Sequence, residues 1–254
     1  MRDAPYISLI LPAYNEAQQI EKTIREAQLY FTACKFSYEF VVSAVGTDGS
    51  LEIVAALAQN DATLKVTGNA ERRGKGYGIR QAVPLTTGTI IGFADADNKT
   101  PIEEFDKFEP LLQTHDVVIG SRASSQSRIE RHQPRYRQIG SKGFGLFMHS
   151  IVGLSGINDT QCGFKFFRRS VALDLFSRQK IDGYMFDVEI LHLAQKAGYS
   201  IAQVPIRWHD DGDSRLQLLS GNVQNVRDIF AIRLASTSRQ SMTVTATNPS
   251  KSRS

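Results

Sequence analysis

The sequence predicts an α/β domain, a mostly parallel sheet with helices on both faces. Three observations carry this. Apolar runs short enough for strands recur along the chain and alternate with segments that carry helix-start signals. The first runs read as strands buried on both sides, the mark of a parallel sheet. The chain has 254 residues, 41% hydrophobic and 22% charged, which is the size and composition of one globular domain and not of a disordered, collagenous or coiled-coil chain.

In order, residues 6–11 (YISLIL) form an apolar run bounded by Pro12. Asn15 is placed to cap a helix, with Gln18 three residues on in the capping-box position, and that helix runs to about residue 33. A second strand covers 38–45, and a helix follows Asp48 to about 59. A third strand lies near 63–67, then a helix at 76–86, then a strand at 89–94. Thr100-Pro101-Ile102-Glu103 opens another helix with a cap, a proline in the first turn and an acid behind it. Residues 116–120 read as a further strand. The reading is one domain over 1–236 and a disordered tail over 237–254, half of it Ser and Thr.

The apolar stretch Gly143–Ile157 spans 15 residues, short of the roughly 20 that a membrane-spanning helix needs. The N-terminus has no secretory pattern, and Cys34 and Cys162 are too few for a disulfide framework or a four-ligand zinc site. The chain reads as cytoplasmic, or peripheral on the cytosolic face of a membrane. Its net charge of +4 is local: Arg122, Arg128, Arg131, Arg135, Arg137 and Lys142 stand against Glu130 alone, and the tail adds Arg239, Lys251 and Arg253. That clustering points to an anionic partner or a solvated loop. No recognition motif or interleaved aromatics supports nucleic acid.

Parallel sheets bind ligands beyond the carboxyl ends of their strands. Tyr14-Asn15-Glu16, Asp95-Ala96-Asp97 and Ser121-Arg122 all fall at such ends. Two carboxylates after a buried strand suit Mg²⁺ or Mn²⁺, whose shell phosphates and water complete. No Walker A sequence is present; around Gly74-Lys75-Gly76 the glycines allow close backbone approach, and Lys75 is placed to meet a phosphate, or else is a surface charge on a helix turn.

Leu11-Pro12-Ala13-Tyr14-Asn15-Glu16, Arg73-Gly74-Lys75-Gly76, Asp95-Ala96-Asp97, Gly120-Ser121-Arg122, Asp159-Thr160-Gln161-Cys162-Gly163-Phe164-Lys165, Phe186-Asp187-Val188-Glu189 and Val204-Pro205-Ile206-Arg207-Trp208 together resemble family 2 glycosyltransferases. Within that family they look most like the dolichyl- or polyprenyl-phosphate glucosyl- and mannosyltransferases. The resemblance covers about 5–235. It implies the GT-A fold, a single Rossmann-like domain with a mostly parallel mixed sheet flanked by helices. It also implies inverting transfer of a hexose from UDP-glucose or GDP-mannose to a polyprenyl or dolichyl phosphate.

By that resemblance Pro12, Tyr14 and Glu16 hold base and ribose, and Val42 adds backbone contacts. Asp95, Ala96 and Asp97, with the metal on the two acids, hold the diphosphate beside Lys75. Arg122 grips donor or acceptor phosphate, and Arg215 closes on the diphosphate. Arg128, Arg131 and Arg135 reach the acceptor phosphate. The catalytic set is then Asp97, Arg122, Asp159 and Arg215. A phosphate acceptor is already largely ionised at neutral pH, whereas a hydroxyl acceptor would need a base, for which Asp159, Asp187 and Glu189 are candidates. Pairing with Arg168 or Lys165, or helix capping, is their structural alternative.

Two positions depart from the family pattern. Ser43-Ala44 stands where paired aspartates are usual, so the acid expected at the base is absent, and Asp48 reads as a helix cap. Lys99 stands where the mannosyl branch often has a metal-binding Gln. Phe144, Phe147, Met148, Ile151 and Leu154 fall at helical spacing, as an interfacial helix or an ordinary core helix would require. Partners then include the lipid-linked acceptor, a membrane surface and room for a membrane partner subunit. The alternatives are a family 2 enzyme with a glycan or small-molecule hydroxyl acceptor, and an inactive nucleotide-sugar-binding homologue.

Overall fold

The structure is a computed structural model that describes residues 4–68, 71–123, 127–129, 151–209 and 222–244, with the backbone alone at 128, 129, 222 and 235–244. Strands β1 (Ile7–Tyr14), β2 (Tyr38–Val45), β3 (Leu64–Thr67), β4 (Ile90–Ala94), β5 (Val117–Ser121), β7 (Phe164–Arg168) and β8 (Ile201–Pro205) form a seven-stranded sheet ordered β3-β2-β1-β4-β7-β5-β8. All neighbours are parallel except at β7, which runs antiparallel to both β4 and β5. β6 (Arg128–Ile129) and β9 (Arg207–Trp208) make a small parallel ladder apart from it.

Both faces of the sheet are covered. From β1, Ile7, Leu9, Leu11 and Ala13 enter one core with helices α1 (Ile20–Ala33) and α2 (Ser50–Asn60), while Ile10 enters the other. α1 buries Ile20, Thr23, Ile24, Ala27, Tyr30 and Phe31, the three-and-four spacing of one helix face. The second core is closed by α3 (Lys75–Ala82), α5 (Arg169–Arg178), α6 (Phe186–Lys196) and α7 (Asn222–Val244). Gly92 of β4 lies opposite Phe166 of β7, and a Cβ there would stand 2.1 Å from the ring. The glycine leaves room for the Phe166 ring.

Several local expectations are corrected. Asn15 does not cap α1: it sits at φ 54°, its Oδ1 accepts from Thr47 N at 3.2 Å, and the helix starts after Gln19 with no side-chain cap. Leu11 does not end β1, which continues through Pro12 to Tyr14. Pro101 is extended (ψ 139°), so the segment after it is a 3₁₀ turn over Ile102–Lys107 followed by the short α4 (Glu109–Leu112). The helix read over 76–86 ends at Ala82, where Pro84 imposes a 3₁₀ turn. α7 continues past residue 236 to Val244, and 245–254 lie outside the described residues. Of the stretch 143–157, residues 143–150 lie outside them too; Val152, Leu154 and Ile157 are buried in the second core, as a core segment requires. Among the described residues no helix is long and apolar enough to cross a membrane.

Candidate active site

The carboxyl ends of β1, β2, β4, β5 and β8 share one rim of the sheet. Because β7 is antiparallel, its amino end lies there as well: Phe164 pairs with Ala94, and Pro205 with Ser121. The rim therefore gathers Tyr14, Asp95, Gly163, Arg122 and the β9 segment from five separate stretches of chain.

The Asp95-Ala96-Asp97 turn is fastened on both sides. Asp95 N donates to Gly163 O at 3.1 Å, and the buried Ala96 accepts at its carbonyl from Thr23 Oγ1 of α1 at 2.8 Å. Ala96 thus anchors the turn between its two acids. Gly163 makes room for the first of them, since a Cβ there would stand 2.0 Å from Asp95 Oδ2. Burial and the neighbouring Asp95 push the Asp97 carboxyl up, and Lys99 opposes them from 3.4 Å.

Lys75 Nζ lies 2.5 Å from Asp95 Oδ1. Burial works against its charge, but Asp95, Asp187 and Asp97 outweigh burial and hold the ammonium above its ordinary range. The surface-charge alternative for Lys75 is therefore set aside: the side chain is only 17% exposed. The glycines around it serve packing, for a Cβ at Gly76 would stand 2.5 Å from Phe186 Cβ, and one at Gly78 2.5 Å from Ser43 Oγ.

The stretch Asp159–Lys165 is a second tier behind the rim. Asp159 takes Arg122 Nε at 2.8 Å, Nη2 at 3.0 Å and the Arg122 main-chain N–H at 2.9 Å. Burial would raise the Asp159 carboxyl; Arg122 outweighs it and holds it below the usual carboxylate range. Burial pushes the Cys162 thiol up to about 12, and its sulfur would stand 2.8 Å from a Cβ at Gly120. Lys165 is fully buried between Cys162 O (2.6 Å) and Asp187 Oδ1 (2.5 Å). Burial pushes the Asp187 carboxyl up against the pull of Lys165 and Lys75. Glu189 accepts from the main-chain N–H groups of Lys180 (3.0 Å) and Ile181 (2.8 Å). Each of the three carboxylates considered as a base is therefore bound to structural partners.

At the end of β1 the Arg72 guanidinium stacks 4.2 Å above the Tyr14 ring. Asp48 accepts from Ser50 N (3.0 Å) at the start of α2 and from Ala17 N (2.9 Å), tying that helix to the loop bearing Glu16. Pro12 lies within β1 opposite Ser43, two residues short of the rim. Val42 requires correction: it is fully buried in mid-strand, paired with Leu11 and Val66, and three residues short of the end of β2. Its main chain belongs to the ladders. Ala44 is likewise buried in the core, and a Cβ at Gly68 would stand 1.8 Å from its carbonyl oxygen.

Arg122 also lies 5.5 Å from the centre of the Trp208 ring, so Trp208 belongs to the site and not to remote packing. The backbone of Arg128 pairs with Arg207 beside it. Next to Trp208, His209 N donates to Lys99 O at 2.9 Å. Arg131, Arg135 and Arg215 lie outside the described residues. Sequence reading missed Arg72 and the pairing of Trp208 with Arg122; both are aromatic–cation pairs across distant segments, which spacing along the chain does not reveal.

Among the described residues no cluster of three or more His, Cys, Asp or Glu gathers to enclose a metal. Asp95 and Asp97 fit a different kind of site. They are hard oxygen donors, their mutual repulsion already shows in Asp97, and two ammonium groups sit against them. Such a pair suits a divalent ion that takes its other ligands from a diphosphate and water.

The family model described as Glycosyl transferase family 2 matches residues 8–176. A dolichyl-phosphate beta-glucosyltransferase of Dictyostelium discoideum is 31% identical over 245 residues, covering 91% of this chain and 75% of that protein. One from Trichomonas vaginalis is 30% identical over 241 residues, covering 90% and 71%. Among solved structures, mannosyl-3-phosphoglycerate synthase from Rubrobacter xylanophilus superposes with a TM-score of 0.68 at 19% identity, covering 92% of this chain and 75% of that one. Glucosyl-3-phosphoglycerate synthase from Mycobacterium tuberculosis, in complex with Mn²⁺, UDP and phosphoglyceric acid, gives 0.64 at 22%, covering 91% and 78%. These two likenesses show the fold, the GT-A architecture. With the family match across two thirds of its length, the sheet described above and relatives aligned over nine tenths of it, this chain belongs to glycosyl transferase family 2.

Proposed function

We propose that the protein transfers glucose, with inversion, from UDP-glucose to a polyprenyl or dolichyl phosphate at a membrane surface. The observation that carries the acceptor class is the state of the carboxylates. Asp159, Asp187 and Glu189 are all engaged, so the site suits an acceptor that arrives already ionised. The names of the relatives support glucose and dolichyl phosphate. The UDP and Mn²⁺ of the solved glucosyltransferase support the donor nucleotide and a divalent ion, Mn²⁺ or Mg²⁺.

In the reaction an acceptor phosphate oxygen forms a bond to the anomeric carbon as the bond from that carbon to the diphosphate oxygen breaks, and UDP leaves with the electron pair. A divalent ion held by Asp95 and Asp97 supplies charge stabilisation for the leaving diphosphate. Arg122, pinned by Asp159 and Trp208, presents a planar fork to phosphate oxygens. Tyr14, Glu16 and the Arg72 stack border the base and ribose. The assignment of Arg128, Arg131, Arg135 and Arg215 to the two phosphates rests on the family resemblance alone.

The membrane arm rests on α7. Asp228, Ile229 and Ile232 are buried, while Val223, Phe230 and Leu234 project from the opposite side, 67%, 48% and 69% exposed, with Arg227 and Arg233 flanking them. An apolar stripe edged by arginines suits an anionic lipid surface.

The test is a transfer assay with radiolabelled UDP-glucose or GDP-mannose against dolichyl phosphate and against hydroxyl acceptors, with Mn²⁺ or Mg²⁺. Glucosyl dolichyl phosphate is the expected product. Transfer to a hydroxyl acceptor alone would reject the acceptor assignment, and transfer only from GDP-mannose the donor. Phe230→Glu with Leu234→Glu should lose sedimentation with vesicles containing phosphatidylserine; unchanged sedimentation removes the membrane role of α7.

A further inference from the structure

Lys75 stands where a metal-bound diphosphate would bring its own charges. Its Nζ lies 2.5 Å from Asp95 Oδ1. Of the other two carboxylates that act on it, Asp187 is already neutralised by Lys165 at 2.5 Å, and Asp97 faces Lys99 at 3.4 Å. The rings of Phe93 and Phe186 flank the ammonium at 5.8 and 5.9 Å. Asp95 is thus its ion-pair partner at the rim.

The backbone beneath Lys75 is fixed. Gly74 has φ 117°, and a Cβ there would stand 2.3 Å from Asp182 O, the same carbonyl that accepts from Tyr77 N at 3.1 Å. This turn is locked to the loop before α6, so only the side chain is free to relocate. A divalent ion on Asp95 and an ammonium 2.5 Å from the same carboxylate compete for its oxygens and repel one another. One must leave, and a displaced ammonium this deep needs another anion.

We infer that Lys75 is the resident counter-ion of Asp95 in the donor-free protein, and that a divalent ion replaces it only when a nucleoside diphosphate arrives to receive the ammonium. Metal and nucleotide then bind as a coupled pair, and the metal alone binds weakly. This rests on the proposed role of Asp95 and Asp97 as the cation site.

The test is titration of Mn²⁺ into the protein, following the free aquo-ion by electron paramagnetic resonance, with and without UDP, in wild type, Lys75→Gln, Lys75→Ala and Asp97→Asn. Folding of each variant is checked by circular dichroism. Association of Mn²⁺ with UDP in solution is common to all samples and cancels between variants. In wild type, UDP should strengthen protein-bound Mn²⁺ by tenfold or more, within the usual range of coupling between sites. Lys75→Gln and Lys75→Ala should bind Mn²⁺ alone roughly tenfold more tightly than wild type, with a smaller effect of UDP, the remainder coming from direct ligation of the ion by the diphosphate. Wild type that binds Mn²⁺ as tightly without UDP as with it overturns the inference, whatever the variants do. So do folded Lys75 variants whose nucleotide-free Mn²⁺ affinity is unchanged. If wild type takes up no Mn²⁺ even with UDP, or Asp97→Asn matches it throughout, the cation site itself is wrong, a different outcome from failure of the exchange.

Discussion

Replacing Asp159 by Asn tests the second tier behind the rim. The carboxylate receives three hydrogen bonds from Arg122, two from the guanidinium and one from the main chain. An amide of the same shape keeps one oxygen, enough for the Nε and main-chain donors that share Oδ2. It turns an NH₂ toward Nη2 and removes the negative charge. Breaking a buried ion pair from one side costs about 3–5 kcal/mol. Arg122 retains 30% exposure, which places Asp159→Asn at the lower end, about 3 kcal/mol. For a chain of this size that is a fall in Tm of about 6–12 °C.

Asp159→Ala, which loses all three bonds, should cost more than Asn, and transfer by folded Asp159→Asn should fall because Arg122 is no longer aimed. Urea unfolding at several pH values gives the second half of the test. Arg122 holds the folded carboxyl below its unfolded value of about 3.9, so the stabilisation is complete above that pH and is lost as pH falls through the lower folded value. The gap between wild type and Asn variant should therefore narrow below about pH 4. A loss under about 1 kcal/mol, the value of an exposed pair, or a gap independent of pH would refute the reasoning.

Other consequences follow from the same contacts. Gly163→Ala pushes the Asp95 carboxylate aside, so Mn²⁺ uptake with UDP should drop at least tenfold while Tm moves little, since the displaced atoms end a rotatable side chain. Glu39 accepts from Ser8 Oγ (2.6 Å) and Lys65 Nζ (2.7 Å) at the edge of the sheet remote from the rim. Glu39→Gln should cost about 2 kcal/mol in urea unfolding and leave transfer by the folded protein unchanged. Cys34 is exposed and Cys162 buried with a raised pKa, so a chromogenic disulfide reagent should titrate one thiol in the native protein and two in denaturant.

The parallel part of the fold was legible because β1 and β2 are apolar on both sides, and 38–45 coincides with the strand found. β7 was not, since FKFFR carries a charge in mid-strand and its direction is a tertiary outcome. Lys165 is tolerated there because Asp187, from α6, and the Cys162 carbonyl meet it. The caps failed for local reasons: the Asn15 side chain bonds across to Thr47 instead of to α1, and Pro101 is held extended. At the site, the acids and Arg122 were visible as residues at strand ends. What they pair with was not, because Lys75–Asp95 and Arg122–Asp159 join segments that only the closed sheet brings together.

The reversed strand has a consequence for how the molecule assembles. β4 and β5 are hydrogen-bonded to each other only through β7, and the chain leaves β5 at Ser121 and returns at Phe164. The half built on β1 through β4 closes by local crossovers, whereas the seam between the halves waits for a distant segment. Asp95 stands on one side of that seam, Arg122 on the other, and their supports Gly163 and Asp159 arrive with the segment that closes it. The rim cluster of Asp95 and Arg122 with their supports is therefore complete only once β7 is in place.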